Sequence, residues 1–276
     1  MKPAPFRYHA PVDVPSAIKL LASAGEAARP LAGGQSLVPM LNLRLARPDV
    51  IVDLNRIAAL DYHRLEGDTL VIGALCRHRA IESDRAVLAR CAAIADAVPL
   101  IGHVGIRNRG TVVGSLAHAD PSAEWPVLAV LLDAEIVLEG RAGRRSVPAA
   151  RFFQGLFATD LKAGELAVEA RFPMPPAGSG TAFVEVARRH GDFALGAAAA
   201  VVVLDDQLLV AESRLALGGF DGVPRRVAPE PSTVETEINP VDDIHAPASY
   251  RRKLARTLAA RALDLAERRA RQEETR

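Results

Sequence analysis

Between Leu31 and Arg44 the chain reads LAGGQSLVPMLNLR, with two glycines, a glutamine and a serine set before a helical apolar pattern. Glycine permits positive φ and lets another group approach the backbone with no Cβ in the way. Successive N–H groups in such a turn converge on one concavity and bind an anion. A helix starting at Ser36, a good N-cap, would add its own free N–H groups. The segment is therefore either an ordinary tight turn or a cradle for phosphate. It is no Rossmann fingerprint, since GxGxxG is absent from the chain, and no Walker loop, since no Gly-Lys-Ser/Thr follows. About eighty residues later, TVVGSLAHADP (Thr111 to Pro121) forms a second small-residue, polar turn. Two such turns from separate units can face each other across a cleft. A dinucleotide, with a diphosphate and two sugar-like ends, suits several short contacts of this kind.

Other chemistry-bearing residues lead less far. His118, Asp120 and Ser122 lie within five residues of one another, too close in sequence to converge as a triad. His103 and His118 have no further His or Cys at a supporting metal spacing. Cys76 and Cys91 lack a CxxC spacing, and an iron–sulfur cluster needs about four ligands, so two reduced core thiols are expected. Arg107 and Arg109 precede the second turn, where they either offset diphosphate charge or stand solvated on a loop.

The elements that must position these turns follow from pattern. A helix is expected over Pro15 to Ala24, with Pro15 in its first turn and Gly25 as its stop. RPLAGG reads as a strand broken by glycine, and DVIVDL (Asp49 to Leu54) as the next strand. TLVIGA (Thr69 to Ala74) is a strand, and Asp84 to Val98 a helix capped by Asp84, with Leu88, Cys91, Ala92 and Ala95 on one face. PVLAVLLD reads as helix, AEIVLEG and ELAVEARFP as strands. PMPPAGSG (Pro173 to Gly180) is the best linker. TAFVEVARR, AAAAVVVL and LLVAESRLALGG follow as three strands, with a hairpin at LDDQ. The tail over Tyr250 to Glu267 puts Leu254, Leu258, Ala262 and Leu265 on one helical face, with a frayed polar end beyond.

The totals limit the function classes. The chain has 276 residues, 49% hydrophobic, with a formal net charge of +1, so no global pull toward nucleic acid or a membrane surface exists. Aromatics at 4% are too sparse for a base-stacking platform. Apolar runs such as LGAAAAVVVL are too short for a membrane span, and MKPAPFRYHAP lacks the apolar core of a secretory signal. A cytoplasmic location is expected.

AGGQSL, followed by NRGTVVGSLAHADPSAEWP, FVEVARRHGDFALGAAAAV and DIHAPASYRRKLARTLAARAL, resembles the flavin-binding medium subunit of molybdenum hydroxylases, the carbon monoxide dehydrogenase and xanthine dehydrogenase group. The resemblance runs in order along essentially the whole chain. It implies an α+β fold: a PCMH-type FAD-binding domain over 1–177, made of two α/β subdomains of about 1–57 and 58–177. A C-terminal domain of antiparallel sheet plus helices then covers 178–276. FAD would lie extended between the subdomains. Ala32, Gly33, Gly34, Gln35 and Ser36, with Leu37 behind them, would hold the diphosphate. Thr111, Gly114 and Ser115 would contact diphosphate or ribityl from the other side, with Val112 and Val113 offering backbone only and Ala119 closing the motif. Glu124 would accept hydrogen bonds from flavin hydroxyls. Phe193 would shield a face of the isoalloxazine, flanked by Arg188 and Asp192.

Three positions depart from that family's usual residues. Val113 stands where glycine is common, and an extended backbone is expected there. Glu124 replaces aspartate and Phe193 replaces tyrosine. The resemblance further implies an electron-transfer role. A large molybdopterin-binding subunit and a small subunit with two-iron two-sulfur clusters would be the partners, in a dimer of heterotrimers, with electrons leaving through FAD to an external acceptor. The alternatives from other classes are a flavin-free scaffold or assembly subunit and a stand-alone flavin oxidase.

Overall fold

In the computed structural model, which describes residues 2–272, three larger sheets follow one another along the chain, and Phe153–Gly155 pairs with Ala158–Thr159 as a small fourth. The first is parallel, in the order Arg7–His9, Val50–Asp53, Ala28–Leu31. Parallel neighbours need crossover connections rather than hairpins. Helix Val14–Ala24 supplies one. Asp13 starts it by accepting the Ser16 N–H at 2.7 Å, Pro15 sits in its first turn, and Ala17, Ile18 and Leu21 turn inward. The other crossover contains residues 32–36 and the short helix Leu37–Asn42. The first bend therefore leaves the carboxyl end of a parallel strand, where open sheets of this type bind ligands.

The second sheet is antiparallel throughout, in the order His63–Glu66, Thr69–Gly73, Leu166–Pro173, Glu135–Gly140, Gly143–Pro148. A run of short helices is inserted between Thr69–Gly73 and Glu135–Gly140, and the second bend lies within that run. One feature of the run differs from the pattern. Where a single helix over 84–98 is expected, Arg85–Arg90 and Ala92–Ala97 are separate helices, with a 3-10 turn at Val98–Leu100. Asp84 caps the first as expected. Cys91 breaks the pair with φ −149° and ψ 99°, and the Thr181 hydroxyl accepts the freed Ala93 N–H at 3.0 Å. A tertiary acceptor thus replaces the helical one. Cys76 and Cys91 are both free and buried, and burial pushes the Cys76 thiol up to about 12.

The third sheet is antiparallel, in the order Gly180–Ala187, Ala194–Leu204, Val210–Gly218, Arg225–Val227. The alanine-rich strand is buried on both faces. Ala197, Ala199 and Val201 join the core that contains Trp125, while Ala198, Ala200 and Val202 join Leu254, Leu258 and Ala262 of helix Ala248–Ala270. Small side chains let that helix sit close to the sheet. Its buried stripe is Leu254, Leu258, Ala262, Ala266 with Ala255 and Ala259, and Leu265 is only half-buried at the stripe's edge. Beyond Glu267, where a frayed polar end is expected, the helix instead continues to Ala270, and residues 273–276 lie outside the described residues. Among the described residues no helix is long and apolar enough to cross a membrane.

Candidate functional site

The two bends meet. A Cβ built on Gly33 would lie 2.5 Å from the Arg109 carbonyl oxygen and 2.7 Å from Gly110 Cα. One built on Gly114 would reach the Ala32 Cβ at 4.0 Å. Gly33 is therefore glycine because backbone passes against backbone there, and Gly34 because its φ is +74°. The amides of Gly33, Gly34, Gln35 and Ser36 have no acceptor among the described residues. None of the four residues is fully buried, so these amides are open to water or to an outside acceptor. Ser36 precedes helix Leu37–Asn42 as expected, but its side chain makes no capping bond, which leaves the hydroxyl available. With only six residues, that helix adds little dipole.

The bends are tied together by side chains that were not singled out from the sequence. Asn55 Nδ2 donates to the Ala32 carbonyl at 2.9 Å and to Asp53 Oδ1 at 2.5 Å. The Arg77 guanidinium donates to Asn55 Oδ1 and to the Arg109 carbonyl, both at 2.6 Å. Arg77 and Asn55 thus bridge the first bend to the second. Tyr8 Oη donates to Asp53 Oδ2 at 2.5 Å. Burial opposes the Asp53 charge, but bonds from Tyr8 and Asn55 and the nearby Arg109 hold its carboxyl below the ordinary range. The resulting cleft is lined by Leu31 to Gln35, Val38, Pro39, Asp53, Asn55 and Arg109. Free amides and a guanidinium suit a diphosphate, and an ionised Asp53 suits sugar hydroxyls. Asp53 ends the central parallel strand and Asn55 lies in the turn just after it, so the carboxyl-end rule is the signal that would have found them.

The second bend is braced from behind. Thr111 caps helix Val112–His118 by accepting the Gly114 N–H at 3.1 Å. Val113 is helical and buried in it, not extended; its φ is negative, so valine carries no strain. Val112 is equally buried, and Ala119 ends the helix in a left-handed conformation with φ 53°. His78 donates its backbone N–H to the Gly110 carbonyl at 3.0 Å, and its Nδ1 accepts from Trp125 Nε1 at 3.0 Å. Burial, with Arg107 and Arg77 nearby, pushes the His78 imidazole down to about 3, so it stays neutral.

The remaining expected residues lie outside the cleft wall. Ser115 is half-buried on helix Val112–His118. Glu124 opens helix Glu124–Leu131 at 8% exposure; burial, then Glu185 and Asp120, push its carboxyl up to about 8. Burial alone pushes Glu185 up to about 7, and its Oε2 has no hydrogen-bond partner among the described residues. At neutral pH Glu124 is therefore a neutral acid, able to donate a hydrogen bond as well as to accept. Arg188 and Phe193 are exposed, and Asp192 pairs with Arg189 at 3.4 Å. Arg109 borders the cleft, but Arg107 does neither thing expected of it. It is 6% exposed and bonded to Glu82. His118 is half-buried against Phe157, with ring centroids 5.0 Å apart, and no metal cluster exists among the described residues.

Residues 4–175 match the family described as the FAD binding domain in molybdopterin dehydrogenase. The carbon monoxide dehydrogenase medium chain of Hydrogenophaga pseudoflava is 38% identical over 96% of this chain and 98% of its own length. Subunit alpha of the 6-hydroxypseudooxynicotine dehydrogenase complex of Paenarthrobacter nicotinovorans is 38% identical over 98% and 97%. A solved structure of the Hydrogenophaga pseudoflava carbon monoxide dehydrogenase, lacking the Mo-pyranopterin moiety of its cofactor, superposes with a TM-score of 0.94 at 36% identity. It covers 98% of this chain and 99% of that one. With facing bends, free amides and this agreement along nearly its full length, the chain belongs to the FAD-binding medium subunits of molybdopterin-dependent oxidoreductases.

Proposed function

We propose that this chain holds FAD extended between its two bends and relays electrons within a three-component complex. The amides of Gly33, Gly34, Gln35 and Ser36, backed by Ala32 and Leu37, take the diphosphate. Thr111, Gly114 and Ser115 approach it from the second bend, and Arg109 balances its charge. Glu124 meets flavin hydroxyls, and Phe193, between Arg188 and Asp192, covers the ring. When bound, the flavin joins one-electron donors to an acceptor that takes a pair. The chain's own residues bind it, orient it and limit what reaches the ring. We place the division between the flavin-binding part and the C-terminal part near residue 177, next to the end of the matched region at 175.

The partners we infer are a large molybdopterin-binding subunit, where substrate is oxidised, and a small subunit with two-iron two-sulfur clusters. Two such trimers would pair in the cytoplasm, and an external acceptor would collect the electrons. Relatives of similar identity carry names for quite different substrates, among them carbon monoxide, caffeine and glyceraldehyde. That spread supports placing substrate choice in another chain. The observation that carries the proposal is the row of unpaired amides at a bend whose residues Gly33 to Gln35 line one cleft with Arg109. A scaffold freed of flavin would have no use for them.

The test is reconstitution. The purified chain incubated with FAD and desalted is expected to be yellow and to retain about one FAD per chain. Co-expression with the large and small chains is expected to recover all three together. A chain that stays colourless at saturating FAD, alone and in the complex, overturns the assignment.

A further inference from the structure

Phe193 is 69% exposed, so its side chain has little packing of its own to fix it. What its loop rests on is specific. Gly191 has φ +82°, and a Cβ there would lie 2.9 Å from the Gly102 carbonyl oxygen and 3.2 Å from His103 Nδ1. The loop therefore lies directly on the backbone of Gly102. That backbone is held in turn by one buried guanidinium. Arg107 Nη1 donates to the carbonyls of Pro99 at 3.3 Å, Ile101 at 3.2 Å and Gly102 at 3.0 Å. Its Nε and Nη2 are taken by the two oxygens of Glu82, both at 3.0 Å. The fork geometry fixes the guanidinium plane, so Glu82 aims Nη1 at the carbonyls. Arg79 reaches the same carboxylate from solvent at 3.0 Å. Lysine at 107 would lack the second edge needed to hold carboxylate and carbonyls together.

We propose that the Glu82–Arg107 pair is a positioning unit that sets where the Phe193 loop stands over the flavin ring, acting through Gly102 and Gly191. The inference rests on the FAD assignment above and adds to it residues that touch neither cofactor nor cleft wall. Breaking the pair should leave the bends, and hence diphosphate binding, alone. What should change is the exposure of the ring.

The test uses the full chain, reconstituted with FAD, in four variants. Glu82→Gln leaves Arg107 without its charge partner, and Glu82→Asp is the conservative rescue. Gly191→Ala displaces the loop from above while keeping the pair. Arg79→Ala is the control, since it removes only the solvent-side contact. Hydrogen exchange over residues 189–194 is expected to rise about tenfold in Glu82→Gln and Gly191→Ala, with no change over 111–118. Iodide quenching of the bound flavin is expected to rise at least about twofold in the same variants, while the FAD dissociation constant stays within about threefold. Glu82→Asp should restore most of the wild-type behaviour, and Arg79→Ala should match wild type. Glu82→Gln and Gly191→Ala proteins with wild-type exchange and wild-type quenching overturn the inference while leaving FAD binding intact. A wild-type chain that holds no FAD overturns the functional assignment, and the exchange arm alone then decides whether the pair holds the loop.

Discussion

Gly33 is where the chain tolerates least. A side chain there would not simply enter a ligand's path, as its sequence context suggests; it would strike the Arg109–Gly110 backbone. Gly33→Val is therefore expected to push the bends apart and weaken FAD binding by more than about tenfold, measured by flavin fluorescence titration. Retained wild-type affinity would remove the role of that contact. Glu124 carries a different prediction. Its carboxyl is protonated in the folded chain up to about pH 8, whereas an unfolded glutamate ionises near 4.5. Below 4.5 neither state is charged. Between 4.5 and 8 the unfolded state sheds its proton and the folded state does not, so stability falls as pH rises and is lowest above 8. Glu185, pushed to about 7, adds to the same trend. The apo chain should lose on the order of a few kcal/mol across that window, and Glu124→Gln should flatten much of the slope. Denaturant melts from pH 5 to 9 check it, and an unchanged slope in the variant would rule Glu124 out as the source.

At the scale of elements, the site depends on a strand end and a short arginine bridge. Asn55 and Arg77 join the Ala32 and Arg109 carbonyls, so the spacing of the bends is set by side chains outside both motifs. Asn55→Ala removes its links to the Ala32 carbonyl, Asp53 and Arg77 and is expected to lower FAD affinity by about tenfold, equivalent to roughly one to two kcal/mol, with a smaller fall in Tm. Calorimetric titration of FAD would show it; an unchanged dissociation constant would reduce the bridge to a local fold contact. The glycine bends were legible because only a few residue types permit that backbone. The bridge was not, because asparagine and arginine on loops are common and only their meeting point gives them a role. The broken helix at Cys91 was hidden for a similar reason: its replacement acceptor, Thr181, lies ninety residues away in sequence.

The whole molecule joins the helical run and the C-terminal helix through one shared sheet. The strand Ala194–Leu204 faces Trp125's core on one side and Leu258's on the other. Asp96 extends this join, accepting the Phe183 N–H at 3.0 Å and pairing with Arg269 at 2.6 Å. Leu258→Ala should cost about 2–5 kcal/mol and lower Tm, because a buried leucine is lost against alanines that cannot close the gap. FAD affinity below the melting range should stay within about twofold, since the cavity opens on the sheet face away from the bends. A matching loss of FAD affinity would mean that the C-terminal helix is coupled to the cleft.

Sequence alone determined the residue types at the two bends, the strands and helices with clean periodicity, and the family to which the order of motifs belongs. These are local or linear properties: which backbone angles a residue permits, which face a repeat presents, which motif follows which. Tertiary structure decided the rest. It brought Gly33 against Gly110, buried Arg107 on Glu82 instead of leaving it beside the diphosphate, and kept Glu124 neutral. Close approach and desolvation depend on neighbours distant in sequence, and the linear pattern of residue types does not encode which neighbours those are.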